Sequence, residues 1–266
     1  MATIAMVTAL LEKLAPPRLA EAWDNVGLLV GDRRREVRRI MTCLTITPAT
    51  AAEAIQAGAE LIVAHHPLPF SAVRRVTADT TVGRLLLDLI AARIAIFSPH
   101  TSLDSAAEGI NQHLAAGLGL RGIVALVPHA EGQGTGRCGW LEEPVTLEQL
   151  AQRLMDFLHI ERLQRVGDRQ RAVRMVAVAC GSGGELLGPA AAADCDALVV
   201  GETRFHTCLE AEAEGMGLLL PGHFASERFA LETLAGVLAR QFPEIEVWAS
   251  RQEHDPIEWV VKERVA

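Results

Sequence analysis

The sequence predicts an α/β protein made of two α/β domains with mixed, largely parallel sheets. Three observations predict it. Short β-branched runs alternate with helix-period segments along most of the chain, a pattern that favours parallel strands joined by helical crossovers. Half of the 266 residues are apolar, enough for a sizeable core. A glycine-rich stretch, VPHAEGQGTGRCGW (127–140), interrupts the alternation, and a second series follows it. That stretch reads as a loop and a domain junction, which divides the chain into 1–127 and 128–266, with the C-terminal strand free to pack back on the first domain.

The elements follow in order. The N-terminus has no positive leader region, and Glu12 and Lys13 interrupt its apolar residues, so it reads as an amphipathic helix rather than a signal peptide. RRREVRR (33–39) reads as a solvated loop entering the strand RRIMTCLTIT (38–47). Pro48 opens a helix that Gly58 stops. ELIVAHHP (60–67) is a strand, TVGRLLLDLIAARI (81–94) a helix, AIFSPH (95–100) a strand, and SAAEGINQHLAAGLGL (105–120) a helix ending near Gly117 or Gly119. In the second series, TLEQLAQRLMDFLH (146–159) is a helix with Thr146 as N-cap, and AVRMVAVACGSGG (172–184) a strand entering a glycine turn. DALVVGE (196–202) and MGLLLPGH (216–223) are strands around the helix FHTCLEAEAEG (205–215). SERFALETLAGVLARQF (226–242) is a helix and IEVWAS (245–250) the last strand.

Charge and cysteine usage exclude several classes. A net charge of −8 argues against general nucleic-acid binding. No uncharged apolar run of about 18 residues is present, so no membrane span is expected. The five cysteines (43, 138, 180, 195, 208) have no CxxC spacing; they fit reduced thiols in a cytoplasmic protein and no cysteine zinc motif.

The chemistry gathers at strand ends. Parallel α/β sheets bind ligands at the carboxyl ends of their strands. His65 and His66 end one predicted strand, SPHTSLD (98–104) follows another, and GETRFH (201–206) and PGHFASE (221–227) follow two more. Adjacent residues on a strand point to opposite faces, so His65 and His66 share one site only if the strand stops there, at Pro67; otherwise each serves a different metal. His223 and Glu227 meet if a helix begins near Phe224. Asp104 can supply a terminal or bridging carboxylate. Imidazole and carboxylate without thiolate suit zinc, iron, manganese or nickel. His65, His66, Asp104, His223 and Glu227 are too many for one tetrahedral ion and fit two divalent ions. Their charge would leave the site positive and attractive to a small anionic substrate. Such a site acidifies water toward a pKa of ~7, which points to hydrolysis.

Other residues keep two readings. Asp24 and Asn25 orient a ligand or cap a turn. His100 completes the second metal's shell or holds Asp104. His206 and Glu202, one helical turn apart, are the candidates for acid–base catalysis; as an alternative His206 is only a helix-face residue. The glycines of GSGG (181–184) cradle a phosphate or form a bare turn. His129, His159 and His254 read as surface residues.

WDNVGLLVGD (23–32), VAHHPLPF (63–70), PHTSLDSAAEGIN (99–111), GETRFH and PGHFASE together resemble the Nif-three-like family, also called GTP cyclohydrolase 1 type 2 homologs. The resemblance implies a dinuclear metal site in the cleft between two α/β domains, with His65, His66, Asp104, His223 and Glu227 as ligands. It implies a ring-shaped homohexamer built from dimers, and the minimal form without the domain that some members insert between the halves. One departure is GETRFH, where many members carry Asp at the position of Glu202 and Tyr or His at that of Phe205. Two functional classes follow. One is a metal-dependent hydrolase of a nucleotide or similar anion. The alternative is a non-catalytic metal-binding ring that stores or delivers metal or acts as a regulatory scaffold.

Overall fold

The computed structural model describes residues 1–130 and 133–260. Its helices, in chain order, are α1 (Ile4–Leu14), α2 (Pro48–Gln56), α3 (Thr81–Ala91), α4 (His100–Ser105), α5 (Ile110–Gly117), α6 (Leu147–Leu158), α7 (Leu187–Ala192), α8 (Phe205–Glu214) and α9 (His223–Gln241). The strands are β1 (Gly27–Val30), β2 (Arg39–Cys43), β3 (Leu61–Ala64), β4 (Ala95–Ser98), β5 (Arg121–Ala130), β6 (Gln133–Thr146), β7 (Gln164–Val166), β8 (Ala172–Ser182), β9 (Ala197–Glu202), β10 (Gly217–Leu220) and β11 (Glu246–Ala249).

Two mixed sheets form, in the orders β1-β4-β3-β2-β11 and β5-β6-β8-β9-β10-β7. In the first, β2, β3, β4 and β11 run parallel and only β1 is antiparallel. In the second, β8, β9 and β10 form the parallel centre. The last strand, β11, pairs with β2 and therefore lies in the first sheet.

Period-2 alternation explains the layering. Along β2 and β3, Ile40, Leu61 and Val63 face α1 and α9, while Met41, Cys43, Ile62 and Ala64 face α2 and α3. In the second sheet, Val176, Val178 and Val199 pack against α5 and α6, while Ala177, Ala179 and Val200 face the side of α7 and α8. Helix α9 ties the sheets together. Its Leu231, Leu234 and Leu238 enter the first core, and Phe229 reaches the second. Thr42 Oγ1 donates to the Leu231 carbonyl at 2.8 Å. Burying each such leucine contributes roughly 1.5–3 kcal/mol, so the α9 that carries His223 and Glu227 is anchored along its length.

The N-cap expected at Thr146 is present. Thr146 and Gln149 form a reciprocal capping box on α6, and Thr47 and Thr50 do so on α2. Two expectations change. The segment 127–140, read as a loop, falls within the β5–β6 antiparallel pair, with 131–132 outside the described residues. Gly134 and Gly139 serve close approach. A Cβ on Gly134 would lie 2.2 Å from the Val127 carbonyl, and one on Gly139 2.7 Å from the Arg121 carbonyl. The helix expected over 105–120 begins only at Ile110, as α5, with Gly109 as its N-cap, packed where a Cβ would stand 1.8 Å from the Leu103 carbonyl; the short helix α4, which precedes it, was not expected. Among the described residues, no helix is long and apolar enough to cross a membrane.

Candidate metal centre

The ends of β3 and β4 and the start of α9 meet at one point. β3 stops at Ala64 and the chain bends at both histidines, where the His65 amide donates to the Cys43 carbonyl (3.0 Å) and the His66 amide to the Leu44 carbonyl (2.8 Å). Released from strand alternation, their rings converge, with centroids 5.2 Å apart at 52°. His65 is fully buried, and both of its ring nitrogens lack a hydrogen-bond partner. Its Nε2 lies 3.6 Å from Asp104 Oδ1 and 3.9 Å from Glu227 Oε1. His66 Nε2 and His223 Nε2 each stand 3.1 Å from Glu227 Oε2. The last contact is the one-turn pairing that a helix starting at His223 gives. All five expected ligands therefore share one cluster.

His100 belongs to it too. Its ring stands edge-on to those of His65 and His66, at 5.2 and 5.5 Å. Its nitrogens and those of His65 and His66 can present ligand atoms within 4.8 Å of one another, and so can His66, His223 and Glu227. His100 has φ of 29°, a conformation that L-residues rarely adopt and that concentrates at functional sites.

A second ring of contacts aims the imidazoles. His66 Nδ1 bonds Thr45 Oγ1 at 2.7 Å, His100 Nδ1 bonds Asp24 Oδ1 at 2.7 Å, and His223 Nδ1 bonds Glu202 Oε1 at 2.9 Å. In each, Nδ1 is occupied outward and Nε2 is left for the cluster, the arrangement that holds metal-binding histidines. Asp24 is thus no simple turn cap. Its buried carboxylate also accepts from the Thr101 amide and hydroxyl. Asn25 donates to the Pro69 carbonyl at 2.8 Å. Glu202 reaches the site through His223. His206 is exposed on α8, edge-on to Phe205, and no described contact carries it into the cluster.

Several participants gave no sequence signal. Cys180 Sγ donates to Asp104 Oδ1 at 3.2 Å, and Asn111 bridges the Cys180 amide (2.7 Å) and the Asp104 carbonyl (3.1 Å). Ser226 Oγ accepts from the Gly181 amide at 2.9 Å and donates to the His223 carbonyl at 2.8 Å. His129, expected on the surface, is exposed but lines the mouth of the cavity above the cluster, which measures about 950 Å³. Gly181 of GSGG touches the site, since a Cβ there would lie 2.3 Å from Glu227 Oε1.

The electrostatics fit a cation. Burial holds His65 neutral, with its pKa lowered to about 3. Burial, reinforced by Glu227, raises Asp104 to about 7. Burial opposes ionisation of Glu227 as well, but the hydrogen bonds from His223 and His66 outweigh it and keep that carboxyl well below the usual range. The hydrogen bond to Glu227 lifts His223 to about 9. Two carboxyl groups and an unpartnered imidazole in one buried pocket are costly unless something neutralises and bonds them. A divalent cation with nitrogen and oxygen ligands does both.

The sequence model of the family described as Duf34/NIF3 (NGG1p interacting factor 3) matches residues 2–256. A Clostridium perfringens protein named GTP cyclohydrolase 1 type 2 homolog is 32% identical over 254 residues, covering 94% of this chain and 97% of its own. A Streptomyces coelicolor protein of the same name is 36% identical over 234 residues, covering 85% and 82%. The crystal structure of the Staphylococcus aureus hypothetical protein SA1388 superposes with a TM-score of 0.89 at 27% identity, covering 97% of this chain and 99% of that one.

Proposed function

This chain belongs to the Duf34/NIF3 family, and on that premise we propose that it is a divalent-metal hydrolase with a dinuclear centre, acting on a nucleotide or another anionic small molecule. The observation that carries this reading is His65, fully buried with both ring nitrogens unpartnered, between the carboxylates of Asp104 and Glu227. An imidazole in that position is stabilised by a metal bond and by little else.

His65, His66, Asp104, His223 and Glu227 would hold the ions, and His100 faces the same cluster. Divalent ions bound there would supply Lewis acidity and an acidified water as nucleophile. Thr45, Asp24 and Glu202 fix the tautomers and orientations of His66, His100 and His223. Asp104 and Glu227 bring two negative charges against the four positive charges of two divalent ions, so the loaded site attracts an anion. Proton transfer is assigned to Glu202, whose Oε1 lies 2.9 Å from His223 Nδ1; His206, exposed on the following helix without a described contact to the cluster, takes no part in it. The curated relatives are named for GTP cyclohydrolase, which supports a nucleotide as substrate. In this reading the protein works in the cytoplasm as a homo-oligomer, a ring-shaped hexamer, and binds neither membrane nor nucleic acid.

The test is hydrolysis of a panel of nucleotides and phosphoesters by metal-loaded protein, wild type against Asp104→Ala. The proposal expects turnover that Asp104→Ala abolishes without altering assembly. Bound metal without turnover on any member of the panel would favour the store or scaffold alternative.

A further inference from the structure

Two large aromatic rings stand exposed at the rim of the metal cavity. Trp23 is 61% exposed and Phe70 53%. Their centroids are 5.8 Å apart with a 30° tilt, and both stand edge-on to His100, at 5.9 and 5.8 Å. The pair is therefore one imidazole removed from the cluster and lines the same cavity.

Buried polar anchors fix both rings from behind. Trp23 precedes Asp24, whose carboxylate is locked by His100 and Thr101. Phe70 follows Pro69, whose carbonyl accepts from Asn25 Nδ2 at 2.8 Å. The WDN and HHPLPF segments thus build one rigid platform, and the groups that aim His100 also place the aromatic pair. Val127, Ala179 and Leu186 line the same cavity as the aromatic pair and the cluster. A cavity lined by aromatic, aliphatic and polar side chains admits a flat ring, whose π-face gains from stacking whichever heteroatoms it carries.

We propose that Trp23 and Phe70 form a stacking subsite for a planar heteroaromatic ring, so that the ligand is a ring-bearing anion whose anionic part faces the cluster, rather than a simple phosphoester. The assignment rests on the metal-site reading for the position of the anion, but the stacking itself is independent of hydrolysis. Stacking of a base on an aromatic platform raises affinity by about tenfold or more. Trp23 and Phe70 are specificity residues here and carry no proton or metal.

The experiment is isothermal titration of the metal-loaded protein with AMP, GMP, UMP, nicotinamide mononucleotide and ribose 5-phosphate. At least one ring-bearing probe is expected to bind about tenfold or more tightly than ribose 5-phosphate. Trp23→Ala and Phe70→Ala, alone and together, are expected to erase that ratio while metal content and ribose 5-phosphate affinity stay unchanged. Phe70→Trp should retain the preference. Equal binding of all probes in wild type, or a ratio that survives the double substitution, overturns the subsite. So does a change of oligomeric state in the alanine variants without a change in the ratio, which would make the pair an interface between copies. Failure of the metal-site reading is seen separately, as absence of metal or turnover in a protein that still prefers ring-bearing probes.

Discussion

Replacing Gly181 by alanine tests the architecture of the centre without touching a ligand. Gly181 has φ of +60°, and a Cβ built on it lies 2.3 Å from Glu227 Oε1 and 3.4 Å from His223 Nε2. An ordinary carbon–oxygen contact is about 3.3 Å, so the Glu227 carboxylate must retreat by about 1 Å. That carboxylate is buried and held by His66 and His223, both at 3.1 Å, so it cannot move alone. Metal–ligand distances vary by about ±0.2 Å, several times less than the required shift. The loss of metal affinity should therefore reach at least the roughly 10–100-fold that follows removal of an outer-shell partner. The left-handed backbone adds about 1–2 kcal/mol of global destabilisation. Gly215→Ala is the control. It has φ of +69° with only Arg171 Nη1 nearby at 3.4 Å, so it should show the destabilisation and keep the metal. Urea unfolding gives the stability and competition with a chromophoric chelator gives the affinity. If Gly181→Ala binds metal as wild type does, the placement of Glu227 in the centre is wrong.

Three further outcomes follow from the same geometry. Glu202→Gln removes the carboxylate on His223 Nδ1, and metal affinity should fall by about tenfold with little change in fold stability, measured by equilibrium dialysis. Metal binding should release protons near neutral pH. His223 with a pKa of about 9 is protonated there and Asp104 with a pKa of about 7 partly so; both must deprotonate to ligate, so affinity weakens as pH falls. Calorimetry in two buffers of different ionisation enthalpy reads this directly, and identical heats would refute it. Burial raises the thiols of Cys43, Cys138 and Cys180 and pushes Cys195 up to about 12, so Ellman's reagent at about pH 8 should react rapidly with Cys208 alone until the protein is unfolded.

Much of this was legible in the sequence, and the exceptions share a cause. The strands and helices of 38–98 follow from local signals: apolar periodicity, Pro48 at a helix start and a stopping glycine. The cluster was legible because histidine and carboxylate recur at strand ends that parallel topology brings together. The β5–β6 pair was not. Its glycines carry the local signature of a loop, yet Gly134 and Gly139 are needed where one backbone passes another at close range, as at Gly134 over the Val127 carbonyl. Nor does local sequence show why β6 buries Arg137, whose guanidinium donates to the carbonyls of Gly134, Gly136, Ser105 and Ala106 and so braces the segment after Asp104. Thr45, Asn111, Cys180 and Ser226 were invisible for the same reason. Each is an ordinary residue until a partner far along the chain gives it a role, as Asn111 acquires at the Cys180 amide.

Metal content per chain, measured by elemental mass spectrometry on wild type and His65→Ala after metal-replete growth, tests the central claim most directly. The account predicts about two divalent ions per wild-type chain, the number proposed for its five candidate ligands, falling to one or none in the variant. A metal-free wild type, or a His65→Ala protein with wild-type content, would contradict it.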